Sequence, residues 1–339
     1  MQQGMDFLLM NTLGNTLSET IEERVRVSII VPMHNAEPFI SATLTSILRE
    51  HDIPLEVVVV DDGSTDASLK RVHAIKDRRI RVIQGPCQGI AAAMNAGIAE
   101  ARGEIIMRCD ADDFYPSYRI PEQVEWLSEH PEFGIVCGGF ATVDLKGRTI
   151  TRFKDKGDAV EITEELRNGD TRTHFCTFAV RAEVLRSSGG FRRYFYTAED
   201  IDLQLRLGEL CRVWYIPEIQ YNYRLHDNSI THTQCNLERE FFESTAREFQ
   251  RQRLTRGSDD LQRGCPPILP RGENKSIKKA AKHTQDLLIG MAWQEHQTGN
   301  KSQALATGVR SVVALPSNIN AWRSLVVLVV KPAGKASDA

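Results

Sequence analysis

Hydrophobic positions along the chain follow two rhythms. From residue 25, short unbroken apolar runs alternate with amphipathic stretches. VSIIV (27–31), EVVVV (56–60), RIRVI (79–83), GEIIMRC (103–109) and FGIVCGG (133–139) read as strands. Between them, Ile40, Leu44, Ile47 and Leu48 share one helical face, and a helix is expected over about Ser64–Ile75. GIAAAMNAGIAEAR (89–102) reads as a helix of small residues, and Ile120, Val124 and Leu127 mark another. This alternation predicts βαβ units, hence an α/β fold with a mostly parallel central sheet flanked by helices. The runs lack period-two alternation, as expected of strands covered on both faces.

The second half is less regular. THFCTFAVRAEVLRSSGGFRR (173–193) reads as strand, helix and glycine turn. TAEDIDLQLRLGEL (197–210) reads as a helix, with Ile201, Leu203, Leu205 and Leu207 as its inward positions, and VWYIP (213–217) as a strand. CPPILPRGEN (265–274) is a Pro/Gly-rich break, followed by helical patterns near 276–297, 301–314 and 318–331. The expected division is an N-terminal extension (1–24), a sheet-based domain (25–235) and a C-terminal helical region (236–339) with a linker near 256–274.

Composition narrows the class. The 339 residues are 41% hydrophobic and 26% charged, ordinary values for a globular chain of about two domains. A net charge of −3 gives no general attraction to nucleic acid or an anionic bilayer. The seven cysteines are odd in number and lack a C-x-x-C, which points away from a disulfide framework or a cysteine zinc site and toward a reducing compartment. The N-terminal apolar patch FLLM has no basic flank and is too short for a signal peptide. LVVLVV (325–330) falls far short of the ~20 residues of a spanning helix. The expected location is the cytoplasm, compatible with peripheral association at the inner face of the cell membrane.

Four constellations carry candidate chemistry. RCDADDFYP (108–116) places Asp110, Asp112 and Asp113 just beyond a buried strand. Hard oxygen ligands in this arrangement suit Mg²⁺ or Mn²⁺, although an Asp-rich turn capping the next helix would look the same. EVVVVDDGSTD ends a second strand on Asp61 and Asp62, where a carboxylate could accept the N3–H of a uracil or simply cap a turn. In TAEDIDLQLR, Glu199 and Asp200 stand at a helix start, where the dipole favours ionised acids; such an acid is either a general base or an ordinary first-turn residue. YNYRLHDNSIT (221–231) offers His226 as a metal or phosphate ligand and Arg224 as a diphosphate contact. In open α/β sheets ligands sit beyond the C-terminal strand ends, where the first two constellations both lie.

In order, VSIIVPMHNAEPFI, EVVVVDDGSTD, GIAAAMNAGIAEARGEIIMRCDADD, GGFRRYFYTAEDIDLQLR and YRLHDNS resemble the family 2 glycosyltransferases of the GT-A fold, over about residues 25 to 232. The tail resembles the tetratricopeptide-like helical appendage of some members. The resemblance implies sugar transfer from a nucleotide-sugar donor, UDP-sugar by default, to a saccharide or lipid-linked saccharide acceptor with inversion, in bacterial surface-polysaccharide or glycoconjugate synthesis. It assigns Pro32, His34, Asn35, Asp61, Asp62, Gly89, Asn95, Asp110 and Arg224 to the donor side. Asp112, Asp110 and His226 would hold Mg²⁺ or Mn²⁺, and Asp200 would be the catalytic base with Glu199 beside it. Gly189 and Gly190 match a loop near the donor sugar, and His174 would line the acceptor side. His34 stands where the family usually has Tyr, and Met94 where it often has Arg; Arg108 is an unusual cation in an apolar strand. Transfer to a polyprenyl phosphate, whose anionic acceptor needs no base, is the alternative within enzymes. A non-catalytic docking protein using the helical tail is the alternative outside them. A dinucleotide oxidoreductase would need G-x-G-x-x-G where this chain has VPMHNAEP.

Overall fold

A computed structural model describes residues 24–153, 157–226, 236–269 and 280–332. Outside these lie the expected N-terminal extension except Arg24, motif residues Asp227 to Ser229, linker residues 270–274 and the expected helix start at 276–279.

The apolar runs form β1 (Val27–Met33), β2 (Leu55–Asp61), β3 (Ile80–Gln84), β4 (Ile105–Arg108) and β5 (Ile135–Val143). They are followed by β6 (Thr149–Phe153), β7 (Val160–Glu161), β8 (Ala179–Arg181) and β9 (Val213–Arg224). The nine strands make one sheet in the order β3-β2-β1-β4-β8-β5-β9-β7, with β6 paired to β5. β3, β2, β1 and β4 are parallel, as the alternation predicts. β8 is antiparallel to both β4 and β5, so the sheet is mixed. Two antiparallel steps cancel, and β5 and its parallel neighbour β9 therefore run with β1, β2 and β4. The C-terminal ends of β1, β2, β4 and β9 thus share one edge of the sheet.

Helices cover both faces. α1 (Ile40–Leu48) and α4 (Arg119–Glu129) pack with Ile29 and Val31, while α3 (Ile90–Glu100) packs with Ile30, Val58 and Val60. Successive residues of a strand point to opposite faces, so both sets are buried. Each such side chain contributes roughly 1.5–3 kcal/mol on burial. The small residues of α3 allow close approach: a Cβ on Gly97 would collide with Ile30. Around these lie α2 (Ser68–Ala74), α5 (Thr163–Arg167), α6 (Ala182–Ser187) and α7 (Glu199–Leu210).

α7 is apolar on two sides. Leu203 and Leu207 join the sheet's core, whereas Ile201 and Leu205 meet Phe242 and Phe249 of α8 (Asn236–Arg256). An ion-pair network secures the same junction: Arg192 and Arg206 on Asp202, and Arg192 and Arg253 on Asp259. α8, expected with the C-terminal region, is therefore packed on the sheet-bearing part. The remaining helices α9 (Ala280–Gln297), α10 (Lys301–Ala314) and α11 (Ile319–Val330) pack on one another. Arg310 of α10 donates to the carbonyls of Thr149 and Ile150 on β6, at 3.3 and 2.8 Å. Among the described residues no helix is long and apolar enough to cross a membrane.

Candidate active site

The strand ends carry three linked networks. In the first, the loops after β1 and β2 are knitted together. Asn35 adopts φ +52°, a left-handed conformation that Asn tolerates better than most residues. Its Oδ1 accepts the Thr65 and Asp66 amides at 2.8 and 3.3 Å, and its own amide donates to Ser64 Oγ at 3.1 Å. His34 Nδ1 lies 3.2 Å from the Asp62 carbonyl, while Nε2 lies 3.2 Å from the Asn35 side-chain amide. Those partners favour the tautomer with the proton on Nδ1. Asp61 is buried and caps the Ser64 amide at 3.0 Å. Asp62 accepts the Cys87 and Gly89 amides at 2.7 and 3.0 Å, drawing the loop before α3 to the same edge. Pro32 lies in β1 opposite Val60. Both acids expected on the base are therefore engaged by backbone amides, and each keeps further lone pairs for a ligand.

The second network holds the acids after β4. Asp113 is fully buried; it accepts Tyr221 O–H and the Arg224 amide, both at 2.7 Å. Burial, reinforced by the charges of Asp112 and Asp110, holds its carboxyl well above the usual range. Tyr221 Oη also accepts the Asp110 amide at 3.0 Å. Thr43 on α1 donates to the carbonyls of Ala111 and Asp113. Asp113 thus fixes the loop from beneath and leaves Asp110 and Asp112 to face the edge. The Asp112 carboxylate meets His226 Nε2 at 2.8 Å. Arg224, expected to face a diphosphate, lies between the Phe39 and Phe114 rings and donates to the Asp112 and Leu145 carbonyls. It is buried, and these contacts make it a brace of the acidic loop.

The third network joins β4 to α7. Arg108 Nε and Nη2 reach the two oxygens of Asp110 at 2.6 and 3.2 Å, and Nη1 reaches Glu199 at 3.4 Å. Glu199 is buried, and its pKa is pushed up to about 7 by that burial and by the adjacent Asp200 charge, against the pull of Arg108. Ala198, just before α7, holds φ +59°, a left-handed conformation that costs an ordinary residue of order 1–3 kcal/mol. That kink sets Glu199 inward and leaves Asp200 half-buried. Among the described residues nothing donates a hydrogen bond to the Asp200 carboxylate. His174 and Arg239 are near enough to feel its charge. The His174 ring lies 4.4 Å from Phe140 and 6.1 Å from Tyr223.

Asn95, expected on the donor side, stands apart from the loops after β1 and β2. Its side chain both donates to the Phe191 carbonyl and accepts the Phe191 amide, each at 2.8 Å. It clamps the loop of Gly189 and Gly190, whose φ values are +77° and +70°. At Gly190 a Cβ would strike the Asn95 carboxamide, so this turn requires glycine. Met94 lies on the buried face of α3, in the core. Residue patterns grouped Asp113 with the candidate metal acids, whereas it is buried beneath them, and gave no role to Tyr221. The only sequence signal for the first was a third acid directly after D-x-D.

A divalent metal can be tested against these groups. Asp112 and His226 already bring a carboxylate and an imidazole together, whereas Asp110 is held by Arg108. Among the described residues no three His, Cys, Asp or Glu side chains converge on one point. Two protein ligands still fit Mg²⁺ or Mn²⁺, which commonly take the rest of their shell from phosphates and water.

Comparison with known proteins agrees with the fold. The sequence profile of glycosyl transferase family 2 matches residues 28–195. The uncharacterized glycosyltransferase EpsJ of Bacillus subtilis (strain 168) is 34% identical over 216 residues, covering 60% of this chain and 62% of that protein. A chondroitin synthase of Pasteurella multocida (strain Pm70) is 27% identical over 232 residues, covering 68% of this chain and 24% of that protein. The chain therefore spans less than two thirds of either relative. Among solved structures, S. aureus TarS 1–349 in complex with UDP-GlcNAc superposes with TM-score 0.54 at 18% identity, over 89% of this chain and 91% of that one.

Proposed function

The chain belongs to glycosyl transferase family 2, and from that premise we propose that it transfers a sugar from a nucleotide-sugar donor, UDP-sugar first, to a hydroxyl of a saccharide acceptor with inversion at the anomeric carbon. The setting is polysaccharide or glycoconjugate assembly in the cytoplasm, peripheral to the inner face of the cell membrane. The observation that carries this reading is the placement of Asp200. Its carboxylate is open at a helix start, while Arg108 ties its neighbour Glu199 to the acidic loop. The UDP-GlcNAc named for TarS favours a UDP donor.

In this mechanism Asp200 accepts the proton of the acceptor hydroxyl. The oxygen attacks the anomeric carbon from the face opposite the diphosphate; the new C–O bond forms as the bond to the diphosphate breaks, and its electron pair leaves with the phosphate. Asp112 and His226 would hold Mg²⁺ or Mn²⁺, whose charge would stabilise the leaving diphosphate. Asp110 faces the ribose, and the Gly189–Gly190 turn presents bare backbone to the donor sugar. Residues 25–235, with α8 packed on them, form the transferase part, and the C-terminal helices form an appendage. A base at Asp200 favours a hydroxyl acceptor over a polyprenyl phosphate, which needs none.

Asp200→Asn should lower turnover about 10²–10⁴-fold, the usual worth of general-base catalysis, and leave donor binding nearly unchanged. Sugar release from a panel of UDP-sugars with oligosaccharide acceptors, measured beside UDP titration, checks this. A variant with full turnover would remove Asp200 from the role.

A further inference from the structure

α7 and α8 lie side by side and run in the same direction. The Phe242 ring lies 5.9 Å from Phe195, just before α7, whereas Arg253 pairs with Glu209 near the end of α7. Phe242 and Phe249 lie on the face of α8 that packs there, and Arg239 stands one turn earlier on the same face. Arg239 is thereby set beside Asp200 at the start of α7. The two are near enough to feel each other's charge, with Tyr223 and His174 also in range.

The Arg239 Nε donates to Glu243 at 2.7 Å, which orients the guanidinium. Among the described residues nothing accepts from its two terminal nitrogens. Glu243 also lies 3.9 Å from Arg247, so one carboxylate serves two cations. The Arg239 side chain is 45% exposed, His174 is exposed and Asp200 is half-buried, so one ligand can reach all three. Tyr196, 80% exposed, adds a ring 6.2 Å from Phe242, an amphipathic surface on the same side of α8.

We infer, on the reading of Asp200 as the base, that Arg239 determines acceptor specificity: the acceptor is an acidic saccharide whose carboxylate or phosphate takes the terminal nitrogens of Arg239 while a hydroxyl faces Asp200. A guanidinium presents paired N–H donors that match an oxyanion, and such charge-assisted bonds are the strong ones. The carboxylates of Asp200 and Glu199 would repel an acidic acceptor unless a cation met it where it docks. Arg108 is engaged with Asp110 and Glu199, which leaves that part to Arg239.

Calorimetric titration of the full chain, with and without UDP and Mn²⁺, tests this with uronic-acid, sugar-phosphate and neutral oligosaccharides of equal length. The wild type should bind one acidic set at least about tenfold tighter than the neutral set, and the set preferred tells carboxylate from phosphate. Arg239→Gln should reduce that preference to within about twofold, and Arg239→Lys, which keeps the charge but not the fork, should retain part of it. Tyr196→Ala should weaken acidic and neutral saccharides alike, because a ring face does not read charge. A wild type that binds neither acidic set, or binds neutral saccharides as well, would overturn the inference. So would a preference that survives Arg239→Gln. Acidic preference without any UDP binding would strike the donor reading instead and leave the role of Arg239 standing.

Discussion

Arg108 and Glu199 meet across 91 positions of sequence, and their contact ties the start of α7 to the acidic loop after β4. Arg108 is an odd residue for an apolar strand, and the sequence exposes it as such, but its partners become visible only in three dimensions. The same is true of Asp113 and Tyr221, 108 positions apart. Motif spacing does locate Asp110, Asp112, Glu199 and Asp200, because acids at strand and helix ends leave a local signature. It does not separate acids that face the edge from acids that brace the loop, since that depends on burial. Glu199 yields a prediction of its own. Its pKa of about 7 in the folded protein exceeds the unfolded value of 4.5, so the folded state binds more protons between those limits. Stability should therefore fall as pH rises through about 4.5 to 7 and then level off, by on the order of 3 kcal/mol. Glu199→Gln removes this term, and urea unfolding from pH 4.5 to 8 should show the variant gaining on the wild type as pH rises. Parallel curves would show that Glu199 titrates normally.

Elements were legible where burial acts on both faces. β1, β2 and β4 are unbroken β-branched or aliphatic runs because helices cover them on both sides, and α3 is marked by small residues because it must approach β1 closely. β6 and β7 were not foreseen: both are short, lie toward the sheet's margin and are partly exposed, so no apolar run announces them. β8, which follows a 3₁₀ turn at Phe175–Thr177, is antiparallel to both neighbours within a sheet expected to be mostly parallel. α8 carries Phe242 and Phe249 within a charged helix, and only contact with Leu205 shows which element they cover. The clamp from α3 to the glycine loop belongs to this scale. Asn95→Ala would leave the Phe191 amide and carbonyl without their side-chain partner, at a cost of about 1–3 kcal/mol, and would loosen the Gly189–Gly190 turn. Urea midpoints with turnover should show both effects together. An unchanged midpoint would mean that other groups hold the loop.

At the scale of the whole molecule, the mixed sheet brings the ends of β1, β2, β4 and β9 to one edge. The network of Asn35, Asp61 and Asp62, the acidic loop after β4 and the Asp200 carboxylate are thereby lined up across it. The C-terminal helices attach through β6, away from that line. On the proposed reading, this edge binds a nucleotide diphosphate with help from a divalent cation held by Asp112 and His226. Isothermal titration of UDP with and without Mn²⁺, on the wild type and on Asp112→Asn, tests it most directly. UDP binding should strengthen at least about tenfold with Mn²⁺, about 1.4 kcal/mol, and lose that gain in the variant. UDP binding that ignores both Mn²⁺ and the substitution, or no UDP binding at all, would contradict it.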